Sequence, residues 1–168
     1  MTEAPSPTAG ASATPAAAVL EQPWATAELT DVRTGEAFSI AELAAAGKTV
    51  FVETMAIWCT NCRAQQTDAM TALGRLDRSK VAWVGIDVEA SESATALAAY
   101  SEQHGFDFQY AVASVDLSRA LVAEFGEVVL SPPATPIVVI SPSGKVTLTE
   151  FGAKSVDRIV ALAAEHAT

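Results

Sequence analysis

The hydrophobic pattern changes its period several times along the chain. Residues 49–55 (Thr-Val-Phe-Val-Glu-Thr-Met) form a β-branched and aromatic run, and residues 81–88 (Val-Ala-Trp-Val-Gly-Ile-Asp-Val) form a second. Continuous apolar runs of this length are expected of strands covered on both faces. Between them Ala69, Met70, Leu73 and Leu76 recur at helical spacing, which predicts a helix over about 60–76. Ser91 or Ser93 is expected to open another helix that runs to His104 and closes at Gly105. Residues 106–112 alternate weakly and predict a third strand. Asp116 is expected to cap a helix carrying Leu117, Ala120, Leu121 and Phe125, ended by Gly126.

The flanking regions add shorter elements. Residues 24–32 are extended in character, Thr34-Gly35 marks a turn, and the chain is expected to return over 36–39 as a β-hairpin. Ser39 can cap a short helix over 40–46, with Leu43 inward and Gly47 as its stop. Residues 132–136 (Pro-Pro-Ala-Thr-Pro) are expected to be a loop, neither helix nor ladder. A strand over 137–140, a turn at 141–144 and a partner strand over 145–151 follow. Ser155 caps a last helix with Val156, Ile159, Val160 and Leu162 on one side. This order predicts an α/β fold: one central mixed sheet between helical layers, its early crossovers right-handed and giving parallel pairs.

Composition sets the boundaries. A chain of 168 residues, half of them apolar, suits one domain with a full core. Residues 3–18 are almost wholly Ala, Pro, Ser, Thr and Gly, so 1–23 is expected to be a disordered linker ahead of a domain at 24–168. No basic or hydrophobic leader precedes that linker. Either a signal or anchor has been removed ahead of Met1, or the segment is a natural cytosolic tail; the first is favoured. The apolar stretch from Ala16 to Leu20 is far too short to span a membrane. A formal charge of −10 argues against nucleic acid and anionic lipid surfaces as partners.

The candidate chemistry lies in Trp58-Cys59-Thr60-Asn61-Cys62, which holds both cysteines of the chain. The pair falls where a predicted strand passes into a predicted helix, with Cys59 at the helix start. Unpaired N–H groups and the positive end of the helix dipole favour a thiolate there. Zinc would need four ligands, and no second CxxC exists, while His104 and His166 are far apart in sequence. A structural disulfide would close too short a loop to remove much unfolded-state entropy. Redox exchange is the reading that uses the spacing, with no cofactor or metal implied. Glu53 lies inside an apolar strand, where burial is expected to raise its pKa. Trp58 is either a contact surface beside the sulfurs or a core-edge aromatic. Glu89, Glu92 and Glu102 read as a solvated face, His104 as a cation at a helix C-terminus, and Met55 as packing.

These residues resemble the thioredoxin superfamily over about 24–166. Residues 52–62 are similar to its strand-to-active-site motif, Thr135-Pro136 to its cis-proline, and Gly152 to a glycine ahead of the family's final helix. The N-terminal hairpin and the long interval from Cys62 to Pro136, which holds an added strand and helix, resemble the TlpA-like extracytoplasmic branch. The resemblance implies a thiol–disulfide oxidoreductase: Cys59 attacks, Cys62 resolves and is the more shielded, and Glu53 accepts a proton from Cys62. It further implies that Trp58, Thr135 and Pro136 contact substrate, with Thr135 turned toward the cysteines by a cis peptide bond and pairing with an extended segment. The implied partners are protein disulfides or dithiols and a membrane thiol-electron donor, for a monomer outside the cytoplasm. Two positions depart from the pattern. Thr67 stands where the family often has proline, as in the thioredoxin domains of transmembrane electron carriers. Gln65 stands where several TlpA-like reductases carry Glu, which argues against cytochrome maturation. A thiol peroxidase and a copper(I) carrier are the remaining alternatives. Ala56 stands where the peroxidase site has Thr, whereas soft thiolates suit copper(I).

Overall fold

The computed structural model describes residues 21–168. Most of the expected linker, residues 1–20, lies outside the described residues. Six helices and seven strands follow in order. They are α1 (Pro23–Thr26), β1 (Leu29–Thr30), β2 (Ala37–Phe38), α2 (Ile40–Ala45), β3 (Thr49–Met55), α3 (Thr60–Leu73), β4 (Val81–Asp87), α4 (Ala94–His104), β5 (Gln109–Val112), α5 (Val115–Phe125), β6 (Ile137–Ile140), β7 (Val146–Leu148) and α6 (Val156–Glu165). Two 3-10 turns, Glu127–Leu130 and Pro132–Ala134, link α5 to β6.

The main sheet has the order β5-β4-β3-β6-β7. Strands β3, β4 and β5 run parallel, while β6 and β7 pair antiparallel. Every residue of β3 is buried, as expected of a central strand between two helical layers. Its two faces differ. Phe51 and Met55, with Trp83, Tyr110, Ile137 and Val139, pack under α3, α4 and α6. Val50 and Val52, with Val84, Ile86, Val138 and Ile140, pack under α1, α2 and α5. This is a thioredoxin-like architecture, with β1 and β2 as a separate antiparallel pair.

Serine caps define most helix starts. Ser39, Ser93 and Ser155 each accept the backbone N–H three residues on, satisfying one orphan donor. Ser114, not Asp116, caps α5, because the helix begins two residues earlier than its apolar stripe suggests. Ile40 and Ala44 are buried on the inner face of α2, and Leu43 packs partly buried against the same core. The hairpin is shorter than expected: Pro23 starts a helical turn that buries Trp24 and Ala25, leaving two residues per strand. The expected loop at 132–136 contains a 3-10 turn, since consecutive prolines hold φ in a range that suits one.

Candidate functional site

Cys59 is the N-cap of α3 and Cys62 lies in its first turn, directly after β3 delivers the chain to the carboxyl end of the parallel strands. The two form a disulfide with Cα atoms 5.3 Å apart. Cys59 Sγ accepts the Cys62 backbone N–H at 3.1 Å, so the sulfur takes the place of a capping oxygen. In this oxidised form both residues are covered: Cys59 is 2% exposed and Cys62 not at all. Cys59 is therefore less open here than the expectation of an accessible nucleophile implies.

The wall behind Cys62 is the turn Pro132–Ala134. Its Pro132 carbonyl lies 3.3 Å from Cys62 Sγ, a contact that a reduced thiol can convert into a hydrogen bond. Asn61 Nδ2 donates to the Pro133 carbonyl at 3.0 Å. The cis-proline expectation is corrected: no cis peptide bond occurs among the described residues. Thr135 sits at φ 45 with its N–H donated to Pro132 O at 2.8 Å, closing the turn. Its carbonyl accepts Lys154 Nζ at 2.9 Å. Both backbone groups expected to pair with a substrate strand are thus used within the fold, and Thr135 and Pro136 are buried.

Glu53 is fully buried under α3. The Trp83 indole, stacked on Phe51 and tilted against Phe108, donates to Glu53 Oε2 at 3.2 Å. Tyr100 and Tyr110 both donate to Gln66 Oε1, at 3.0 and 2.7 Å. They turn the Gln66 amide nitrogen toward the carboxyl, although Gln66 Nε2 and Glu53 Oε1 stop short of hydrogen-bond geometry. Burial pushes the Glu53 carboxyl up to about 8, against the lowering influence of Trp83, Gln66 and Lys154. Gly85 makes the network possible, because a Cβ there would lie 2.7 Å from the Tyr110 ring.

The loop ahead of Cys59 is held from the opposite side. Glu92 accepts the N–H of Ile57 at 2.8 Å and of Trp58 at 3.4 Å, and Glu89 accepts the Trp58 indole N–H at 3.1 Å. These two acids are half-buried anchors rather than part of a solvated face; Glu102 is exposed. Trp58 itself is 55% exposed beside the disulfide. Asp87 completes the group. Burial and the neighbouring Glu92 carboxylate push its carboxyl up to about 8.

Sequence reasoning missed Gln66, Asp87, Pro132 and Lys154, and read Gln65 only as a departure from the family pattern. A signal existed for the glutamines: 62, 65, 66 and 69 share one helical face, so two amides stand in a stripe that points at the core. Thr67 donates its hydroxyl to Arg63 O at 2.9 Å and leaves α3 continuous. The histidines have structural places. His104 packs edge-on against Tyr100, and the buried His166 ring meets Leu162 O and Thr147 Oγ1.

No protein-family model and no curated protein matches the chain. Solved structures do. A thiol:disulfide interchange protein of the thioredoxin family from Chlorobium tepidum superposes with a TM-score of 0.65 at 22% identity, over 84% of this chain and 93% of that one. A secreted Mycobacterium tuberculosis disulfide oxidoreductase homologous to E. coli DsbE gives 0.64 at 19% identity, over 84% and 97%. The M. tuberculosis protein DsbF, in mixed oxidised and reduced forms, gives 0.65 at 17% identity, over 86% and 97%. At these identities the likeness defines the fold, and the fold of this chain is that of thioredoxin.

Proposed function

We propose that the protein is a thiol–disulfide oxidoreductase that exchanges disulfides with protein substrates. The observation that carries this reading is the disulfide across the first turn of α3, with Cys59 Sγ facing the Cys62 N–H. In the reduced protein that N–H and the helix dipole stabilise a Cys59 thiolate. The thiolate attacks one sulfur of a substrate disulfide, forms a mixed disulfide and releases the other sulfur as a thiolate. Cys62 then loses its proton to Glu53 and attacks the Cys59 sulfur, releasing the second substrate thiolate. Two electrons pass from the dithiol to the substrate, and the observed Cys59–Cys62 disulfide is the end point.

Glu53 suits the proton step because its carboxyl titrates near neutral pH and lies against α3 one turn beyond Cys62, at Gln66. Trp58 is proposed as the substrate contact, since it is the exposed aromatic beside the pair. Thr135 and Pro136 hold the turn behind Cys62 instead of touching substrate. The secreted protein of the same fold supports a place outside the cytoplasm; membership of the TlpA-like branch and a membrane thiol donor as the source of electrons are proposed from the sequence resemblance. Insulin reduction tests the reading. Turnover is expected from wild type and lost in Cys59→Ser, while Cys62→Ser accumulates the mixed disulfide. Full turnover by Cys59→Ser would refute it.

A further inference from the structure

Lys154 is 1% exposed, an unusual state for an ammonium. It lies in the segment between β7 and α6, and its position is enforced from α3. Gln65, one turn beyond Cys62 on the same helical face, accepts the Lys154 backbone N–H and donates its amide to the Lys154 carbonyl. Nζ then reaches the Thr135 carbonyl at 2.9 Å. Gly152 N–H donates to the Ala134 carbonyl at 2.9 Å, so residues 152–154 stitch the 132–135 turn to the helix that carries the cysteines. Two buried oxygens in this region have no partner, Glu53 Oε1 and Thr135 Oγ1. A buried cation with so few acceptors is costly unless its charge is used.

We propose that Lys154 is a positioning residue for disulfide exchange, its buried ammonium holding the turn that meets Cys62 and acting through space on the Glu53 carboxyl. The proposal rests on the disulfide-exchange reading. Glu53 is faced by the Trp83 indole from β4, the Gln66 amide from α3 and Lys154, with the Tyr100 and Tyr110 phenols behind Gln66. Lys154 is the one full positive charge among these and favours the carboxylate. Glu150 and Arg158 face Lys154 with opposing effects. The ammonium thus acts at both ends of the resolving step. It fixes the Pro132–Thr135 turn against the Cys62 sulfur, and it makes Glu53 readier to hold the charge it would carry as a base.

The test compares wild type with Lys154→Met, which keeps the stem and removes the charge, and with Gln65→Leu, which keeps the charge and frees the segment. Carbon NMR of the Glu53 carboxyl is followed against pH in the oxidised proteins, and mixed-disulfide release is timed in the reduced ones. Lys154→Met is expected to move the Glu53 titration upward by about one pH unit, a change in ionised fraction at neutral pH of about tenfold. Release is expected to slow by up to about that factor. Gln65→Leu is expected to shift both in the same direction by less. If the Glu53 titration or the release rate stays at its wild-type value in folded Lys154→Met, Lys154 merely fills space and the proposal is overturned. The wild-type turnover assay is read first: its failure removes the disulfide-exchange reading, whereas an unmoved titration in an active protein removes the Lys154 proposal alone.

Discussion

Glu53 and Asp87 lie on one face of adjacent parallel strands, in a register that pairs Met55 with Asp87. Both carboxyls are pushed up to about 8, yet by different surroundings. Around Glu53 burial alone raises the value, and every other group named for it pulls the other way. Around Asp87 burial is reinforced first by hydrogen bonding with Glu92 and then by the negative charges of Glu92 and Glu89, and only the Glu89 backbone N–H opposes it. One site is a proton held by a dry environment, the other a proton shared between crowded acids. Removing a neighbour should therefore move the two titrations in opposite directions.

The largest expected effect separates them through stability. A carboxyl with a raised folded-state pKa keeps its proton in the fold after the unfolded chain has lost its own. Its contribution is complete below about pH 4.5 and is lost as pH rises through 8. For Glu53 the full span is on the order of 4–5 kcal/mol at 1.36 kcal/mol per unit. Glu53→Gln is expected to remove this share of the decline, so that denaturant titrations at pH 5 and pH 9 differ less than in wild type. It should also slow mixed-disulfide release. An unchanged pH slope would show that Glu53 titrates normally.

Glu92→Gln is the complementary cut. It removes a charged acceptor from the Ile57 and Trp58 N–H groups and a negative neighbour from Asp87. A loss of about 1–3 kcal/mol is expected from the weakened backbone anchors, together with a fall in the Asp87 pKa. Carboxyl NMR reads that fall directly, and an unmoved Asp87 titration would show that Glu92 does not raise it.

Gly85→Ala probes the Glu53 side without touching a charge. The new Cβ would press on the Tyr110 ring, and overpacking of this kind costs about 1–3 kcal/mol. Displacing Tyr110 also loosens Gln66, so the Glu53 titration should rise while that of Asp87 stays put. The smallest effect is expected at Trp58→Phe. The indole bond to Glu89 is at the surface, so stability should change by less than about 0.5 kcal/mol. The Glu89 carboxyl, held below its usual range chiefly by that bond, should move up toward normal.

Much of the frame was legible before any coordinates. The runs at 49–55 and 81–88 could be read as central strands because a strand buried on both faces needs apolar residues at every position, which is a local property. Serine caps and glycine stops could be read for the same reason: each acts on backbone within a few residues. The CxxC at a strand-to-helix junction followed from those boundaries. The sites beyond the cysteines were less visible. Glu89 and Glu92 look like solvent-facing acids in sequence, and only the return of that segment to Ile57 and Trp58 makes them anchors. Thr135 reads in sequence as a loop residue whose backbone is open to an extended substrate segment, and its N–H and C=O are used by Pro132 and Lys154 instead.

By itself the sequence determined the order of the main elements, most of the serine caps and glycine stops, and the place of the two cysteines, since these depend on periodicity and on hydrogen bonds between near neighbours. The tertiary structure decided which chemistry surrounds them. That Gln65 would clamp Lys154, that Pro132 would lie on Cys62 and that Trp83 would reach Glu53 depends on contacts between positions 89, 70 and 30 residues apart. Such contacts arise from which faces are brought together when the sheet closes under its helices. A carboxyl or ammonium then takes its charge state from the dielectric and the neighbours it meets there, and neither is written in its own segment.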